Sequence, residues 1–229
     1  LPAANKIIQL AWFYKPPVNG SEADLVKNFS VFILTKKNEA YRDELHAQGV
    51  RAPILQYLRF SAIMDTDDCD SQPFRNQVAD KPGDFCAIDQ NHPDWFLLDS
   101  RGERIYSNDY PAMDPASEGW RAFWLERARQ SQEVLGWEGV FLDNVEASLN
   151  KQERLAGRET SYASDQAYQD AVAGFLEYLY RGYFQPQGRP LPSRPGDRRE
   201  QQSGVVLEQG PEMPDERLIG REAERPAQV

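Results

Sequence analysis

The residues best placed to do chemistry lie in one run, Trp137-Glu138-Gly139-Val140-Phe141-Leu142-Asp143-Asn144-Val145-Glu146. An apolar stretch of strand length ends there in an Asp. Asp is poor inside a strand, so a position where the chain turns from apolar to polar needs a reason. A carboxylate at a strand's end can act as nucleophile or general base in glycosyl transfer; it can equally cap the loop that follows. Asn144 could steady that carboxylate or bind a hydroxyl. Glu146, three residues on, is either a second acid or a surface residue.

Other candidates stand after earlier apolar runs. Trp12 and Tyr14, with Phe13 between them, close the first run; such rings either stack on sugar faces or fill a core. Lys36, with Lys37, follows the second run, and Arg59 and Asp65 follow the third; each is a candidate substrate contact or a solvated loop charge. His92, Asp94 and Trp95 could line the same cleft or form a plain turn. Asp65, Asp67, Asp68 and Asp70 are oxygen donors of the kind Ca²⁺ prefers, but they lack calcium-loop spacing and read as a solvated loop. Cys69 and Cys86, the only cysteines, are candidates for a disulfide, which would favour an extracellular or cell-envelope location. A zinc site is not expected, with no CxxC and only His46 and His92 as imidazoles. No metal or other cofactor is expected.

These residues need elements to position them. Ile7 to Tyr14 is a continuous apolar run stopped by Lys15-Pro16-Pro17. Ser21 can cap a short helix to Phe29. Val31 to Leu34, Pro53 to Leu58 and Gly139 to Val145 read as three further strands. Asn38 to Gln48 reads as a helix closed by Gly49. Asp114 and Pro115 open a Trp-rich helix that Gly136 ends, and another helix begins near Ser164. Ser61 to Pro93 reads as a long polar loop, and Trp95 to Tyr106 as a small hairpin around Ser100-Arg101-Gly102-Glu103. Apolar strands alternating with helices mean an α/β class with parallel strands. Four such units fit the first half of a (β/α)₈ barrel, where active sites gather at the C-terminal ends of the strands; they also fit a small doubly wound sheet. The nucleotide-binding version of that sheet is disfavoured by the absence of GxGxxG or GxxxxGK[ST] after any strand.

The chain has 229 residues and a formal net charge of −10. A nucleic-acid backbone repels such a surface, so DNA and RNA are not expected partners. No apolar run approaches the ~20 residues needed to cross a membrane. The chain begins at Leu1, so a leader peptide is not readable from it. Asn28-Phe29-Ser30 matches a glycosylation sequon ahead of an apolar strand and reads as fortuitous. Every Trp, Tyr and Phe lies at or before Phe184. Residues 1–190 are therefore expected to carry the folded α/β part and 191–229 an irregular tail, either disordered or out of frame with what precedes it.

GVFLDNV after a Trp-rich helix, together with QLAWFYKPP, HPDWFLLDSRGERIY, YPAMDP and SDQAYQDAVAGFLEYL, resembles a known family. Over about residues 5 to 190 the chain is similar to hypothetical glycosyl hydrolase family fifteen, and more distantly to the endo-α-1,4-polygalactosaminidase family. The resemblance implies a TIM barrel of the (β/α)₈ type, of which the sequence shows four to five βα units. It also implies a glycosidase of carbohydrate metabolism, with a poly- or oligosaccharide substrate and Asp143 as its catalytic carboxylate. Glycoside hydrolysis ordinarily uses two carboxylates, and no recognisable later strand offers the second; Asp65 and Glu146 are the available candidates. The expectation is an incomplete catalytic unit that self-associates through exposed barrel edges. The alternative is a non-catalytic carbohydrate-binding pseudoenzyme.

Overall fold

A computed structural model of the chain describes residues 11–14 and 29–189. The expected helix from Ser21, the sequon asparagine, the first part of the opening strand and the tail from 191 lie outside the described residues.

Four strands form one sheet: β1 (Ala11–Tyr14), β2 (Val31–Leu34), β3 (Ile54–Arg59) and β6 (Gly139–Asp143). They pair in chain order, β1-β2-β3-β6, and every pairing is parallel. A doubly wound sheet reverses its strand order at a switch point. A sheet that keeps chain order winds in one direction, as a segment of a (β/α)₈ barrel does. Helices α1 (Glu39–Ala47) and α3 (Glu118–Glu133) make the crossovers that parallel pairing requires. β6 stops at Asp143, two residues before the expected end, because Asn144 adopts φ 56°, a left-handed conformation that breaks the extended chain.

Successive strand residues face opposite sides, and the two sides differ. Phe32, Leu34, Leu45, Val50, Ile54 and Trp137 pack together where α1 lies on the sheet. Ile33, Leu55, Tyr57 and Phe141 form a separate cluster on the other face. There the rings of Phe13, Tyr57 and Phe141 meet edge-on or tilted, with centroids 5.5 to 6.0 Å apart. A half barrel would be expected to leave this face bare. It does not: Ile33, Leu55, Tyr57 and Phe141 are buried, and only Phe13, at 44 %, is well exposed.

Between β3 and β6 the chain makes a long excursion, residues 60–138. The stretch expected to be one polar loop contains α2 (Asp84–Asn91), whose Phe85 and Ile88 are buried. A disulfide joins Cys69 to Cys86 at the start of this helix. The expected small hairpin exists as an isolated bridge, Leu98 to Arg104, turned at Gly102 with φ 80°. A second hairpin follows, β4 (Tyr106–Ser107) with β5 (Tyr110–Pro111). The N-cap of α3 is Ser117, whose Oγ accepts from the Trp120 amide; Asp114 and Pro115 stand ahead of the helix. After β6 come α4 (Leu149–Ala156), which sequence periodicity had not indicated, and α5 (Asp165–Leu179). α5 is capped by Ser164 as expected and buries Tyr168, Val172, Phe175 and Leu179. Among the described residues no helix is long and apolar enough to cross a membrane.

Candidate active site at the strand ends

Asp143 is the last residue of β6 and lies in register with Arg59, the last residue of β3. Counting back along both strands, Phe141, Tyr57 and Leu55 share their side. Asp143 therefore belongs to the face away from the helices, at the polar edge of the aromatic cluster. The Tyr57 hydroxyl donates to Asp143 Oδ2. Tyr57 itself is buried, so the carboxylate is oriented by a group with little freedom of its own. Asp143 is only half-buried and can be reached from outside. Asn144, in its left-handed conformation, turns the chain so that Glu146 follows in a tight bend, its amide donating to the Asn144 carbonyl at 3.0 Å. Asn is one of the few residues that accept this backbone at little cost.

Arg59 stacks its guanidinium over the Tyr110 ring, 3.9 Å from the centroid, and so anchors the second hairpin above the end of β3. Its Nε is buried without a protein acceptor among the described residues. The amide of Asp65 donates to the Asp109 carbonyl at 2.7 Å, and Tyr106 donates to the Asp65 carboxylate at 3.4 Å. Arg59 and Asp65 are thus tied to the same hairpin. Glu146 Oε1 accepts from the Ser148 amide at 3.2 Å.

A further carboxylate, Asp114 of YPAMDP, is brought to this end by the antiparallel bridge Ala62–Ala112 and the Met113 amide bonded to the Ser61 carbonyl. Asp114 Oδ1 accepts from Tyr162 Oη and from the Ala116 amide. Tyr162 stands edge-on to Tyr168, with centroids 5.1 Å apart. Burial, joined by the charges of Glu146 and Asp114, pushes the Tyr168 phenol up to about 12. Burial and the Asp114 carboxylate likewise hold the Tyr162 phenol in its neutral form far above its usual range. Asp114 therefore holds one end of a pair of neutral tyrosines.

Tyr57, Asp114, Tyr162 and Tyr168 were not among the expected site residues. Tyr57 shares the face of Arg59, two positions on, but its hydroxyl meets Asp143 only through the register of β3 beside β6. The contact between Asp114 and Tyr162 spans distant parts of the chain and has no local signal.

The remaining expected contacts fall elsewhere. Trp12 is on the helix-covered face, edge-on to Phe29 at 5.2 Å. Tyr14 ends β1, and its side chain lies outside the described set. Lys36 is held by Asp80 at 2.6 Å, alongside Gln56 and Leu58 of the helix-covered face. His92 stacks on Trp95 at 4.0 Å, an exposed ring covering a buried one. Asp68 uses its carboxylate on Asp70 and Ser71 within its own turn. Among the described residues no group of His, Cys, Asp or Glu could hold a metal ion.

Residues 52–186, more than half of the chain and spanning β3 to α5, match the model of hypothetical glycosyl hydrolase family 15. The chain belongs to that family. No curated protein matches it in sequence. Its fold is similar to the glycoside hydrolase domain of PelA from Pseudomonas aeruginosa, with 20% identity over 76% of this chain and 55% of that one and a TM-score of 0.47. It is also similar to the maltogenic α-amylase AmyB from Thermotoga neapolitana (11% identity, 73% and 38% covered, TM-score 0.43). The α-L-fucosidase isoenzyme 2 from Paenibacillus thiaminolyticus is a third such structure (13%, 77% and 30%, 0.45). The family 15 chain thus spans about half the length of the PelA domain. At these identities the structural likeness speaks to neither substrate nor mechanism.

Proposed function

We propose that this family 15 chain is a glycoside hydrolase that cleaves O-glycosidic bonds of a poly- or oligosaccharide, with Asp143 as nucleophile or general base. The observation that carries this reading is the placement of Asp143. It is a half-exposed carboxylate at the C-terminal end of a parallel strand, oriented by the buried hydroxyl of Tyr57 and bordered by aromatic rings. Strand ends of this kind are where parallel barrels do their chemistry. Phe13, the well-exposed ring packed against Tyr57 and Phe141, offers a face that suits a sugar ring.

The candidates for the second carboxylate of such a mechanism are Asp65, Glu146 and Asp114. Their separation from Asp143 in a substrate complex would decide between retention, at about 5 Å, and inversion, at roughly 6.5–9.5 Å. The disulfide supports an oxidising location, extracellular or in the cell envelope. Pairing of copies through the outer strands β1 and β6 belongs to the same proposal, and size-exclusion chromatography with light scattering tests it.

Release of reducing ends from a panel of α- and β-linked glycans tests the activity. Release by the wild type that is lost in Asp143→Asn would support the reading and set aside the expected incomplete catalytic unit; absence of release and of binding in both proteins would fit that incomplete unit. Binding of a glycan without release would instead support the carbohydrate-binding pseudoenzyme.

A further inference from the structure

A cavity of about 260 Å³ lies on the helix-covered side of β3, where Leu58 faces α3. Three cations line it: Lys36, Lys81 and Arg127. Two of them have a carboxylate. Lys36 Nζ lies 2.6 Å from Asp80, and the Arg127 guanidinium lies 2.6 Å from Asp84. Lys81 has none. Asp84 accepts from its backbone amide at 2.9 Å, but its ammonium meets no carboxylate among the described residues. The wall thus sets three positive charges against two negative ones, in a chain whose net charge is −10.

The cationic groups can be reached. The Lys36 and Arg127 side chains are each 18 % exposed, and Lys81 is exposed. An ammonium has three donors and a guanidinium five, so neither Lys36 nor Arg127 is used up by its one carboxylate. Leu58 and Val78 add apolar wall. A neutral ligand would leave the excess charge unanswered, and a dianion would overshoot it inside an acidic chain. A carboxylate brings the single charge that is needed, and its two oxygens can accept from more than one cationic donor. The volume is room for roughly eight or nine waters at about 30 Å³ each. It falls below the ~300 Å³ at which drug-sized pockets begin, which limits the rest of the ligand to one ring or a short apolar chain.

We infer that this cavity binds a small organic monocarboxylate, with its charged end toward Lys81 and its apolar body against Leu58 and Val78. Leu58 stands one position before Arg59, the register partner of Asp143, and so belongs to the opposite face of the sheet. The inference therefore stands or falls independently of the proposed hydrolysis.

The test is ligand-observed NMR and calorimetry on the full chain with benzoate and cyclohexanecarboxylate, with the neutral amides of both, and with phenyl phosphate. The expected result is binding of at least one carboxylate at one site, with its amide at least about tenfold weaker and phenyl phosphate no tighter than benzoate. Lys81→Met should weaken carboxylate binding by about tenfold or more, the worth of a charge-assisted hydrogen bond. Its melting temperature should be unchanged, because the side chain is exposed and holds no carboxylate. Lys81→Arg should keep most of the binding. Lys151→Met, on α4 and outside the cavity, and Asp143→Asn should leave it as in the wild type. Absence of binding by both carboxylates would overturn the inference. So would amides that bind as well as the acids, tighter binding of phenyl phosphate, binding indifferent to Lys81→Met, or binding lost equally in Lys151→Met or in Asp143→Asn.

Discussion

The two faces of the four-stranded sheet use the same strands for different ends. Phe32, Leu34 and Ile54 point to the side where α1 and Trp137 complete a closed apolar core. Ile33, Leu55, Tyr57 and Phe141 point the other way, and that face passes at its edge into Arg59 and Asp143. The first face is finished chiefly by packing, with Trp137 Nε1 donating to Glu39 at its margin. On the second, packing holds a polar edge in place: a buried ring carries the hydroxyl that orients a half-exposed carboxylate. Burial on one side secures the sheet, and burial on the other side secures a reactive group.

Substitutions can sharpen or break this division. The largest stability loss is expected on the helix-covered face. Trp137→Ala removes a fully buried ring whose Nε1 donates to Glu39 and whose face meets Arg42. It should cost about 3–5 kcal/mol in denaturant unfolding; a loss under 1 kcal/mol would show that this face is not the main core. Removing the disulfide, as Cys69→Ser with Cys86→Ser, should cost about 3 kcal/mol in the chain-entropy picture. Its effect on the sheet itself should be small, as hydrogen exchange of the β2 and β3 amides would show.

The tyrosine pair gives a pH signature. Burial, the chief cause, pushes the Tyr168 phenol up to about 12, against 10 for an exposed phenol. The folded state therefore holds this proton more tightly. The contribution is fully present below pH 10 and is lost as pH rises to about 12, a decline of roughly 2–3 kcal/mol. In Tyr168→Phe the alkaline limb should flatten, and an unchanged limb would contradict the burial of that hydroxyl. The smallest effect is expected for Tyr57→Phe, which keeps the ring and removes the donor to Asp143. Stability should shift by no more than about 1.5 kcal/mol. Turnover should fall by roughly 10–100-fold through misplacement of the carboxylate, with KM little changed. A large loss of stability with turnover intact would reverse the roles assigned to the two faces.

Much of the frame was readable from the chain. Val31–Leu34, Ile54–Arg59 and Gly139–Asp143 are short apolar runs bounded by turn residues, and α5 carries its apolar residues at helical spacing behind a Ser cap. Two helices were hidden for a physical reason. α2 buries only Phe85 and Ile88, and α4 only Leu149 and Gln152, too few apolar positions to set a period. The faces of β2, β3 and β6 were ambiguous because both sides are apolar, and continuous runs do not show which side the helices cover. Asp143 stood out because its strand ends there. Tyr57 looked like core, and it is core; its hydroxyl matters only through the register that sets β3 beside β6. Lys36 read either as a substrate contact or as a solvated loop charge, and its ion-pair partner Asp80, far along the excursion, had no local signal.

The most direct test of the central claim compares wild type and Asp143→Asn, matched in circular dichroism and melting temperature, for reducing-end release from the glycan panel. The account predicts release by the wild type and a loss of roughly 10²–10⁴-fold in the variant. Equal release by both proteins would contradict it.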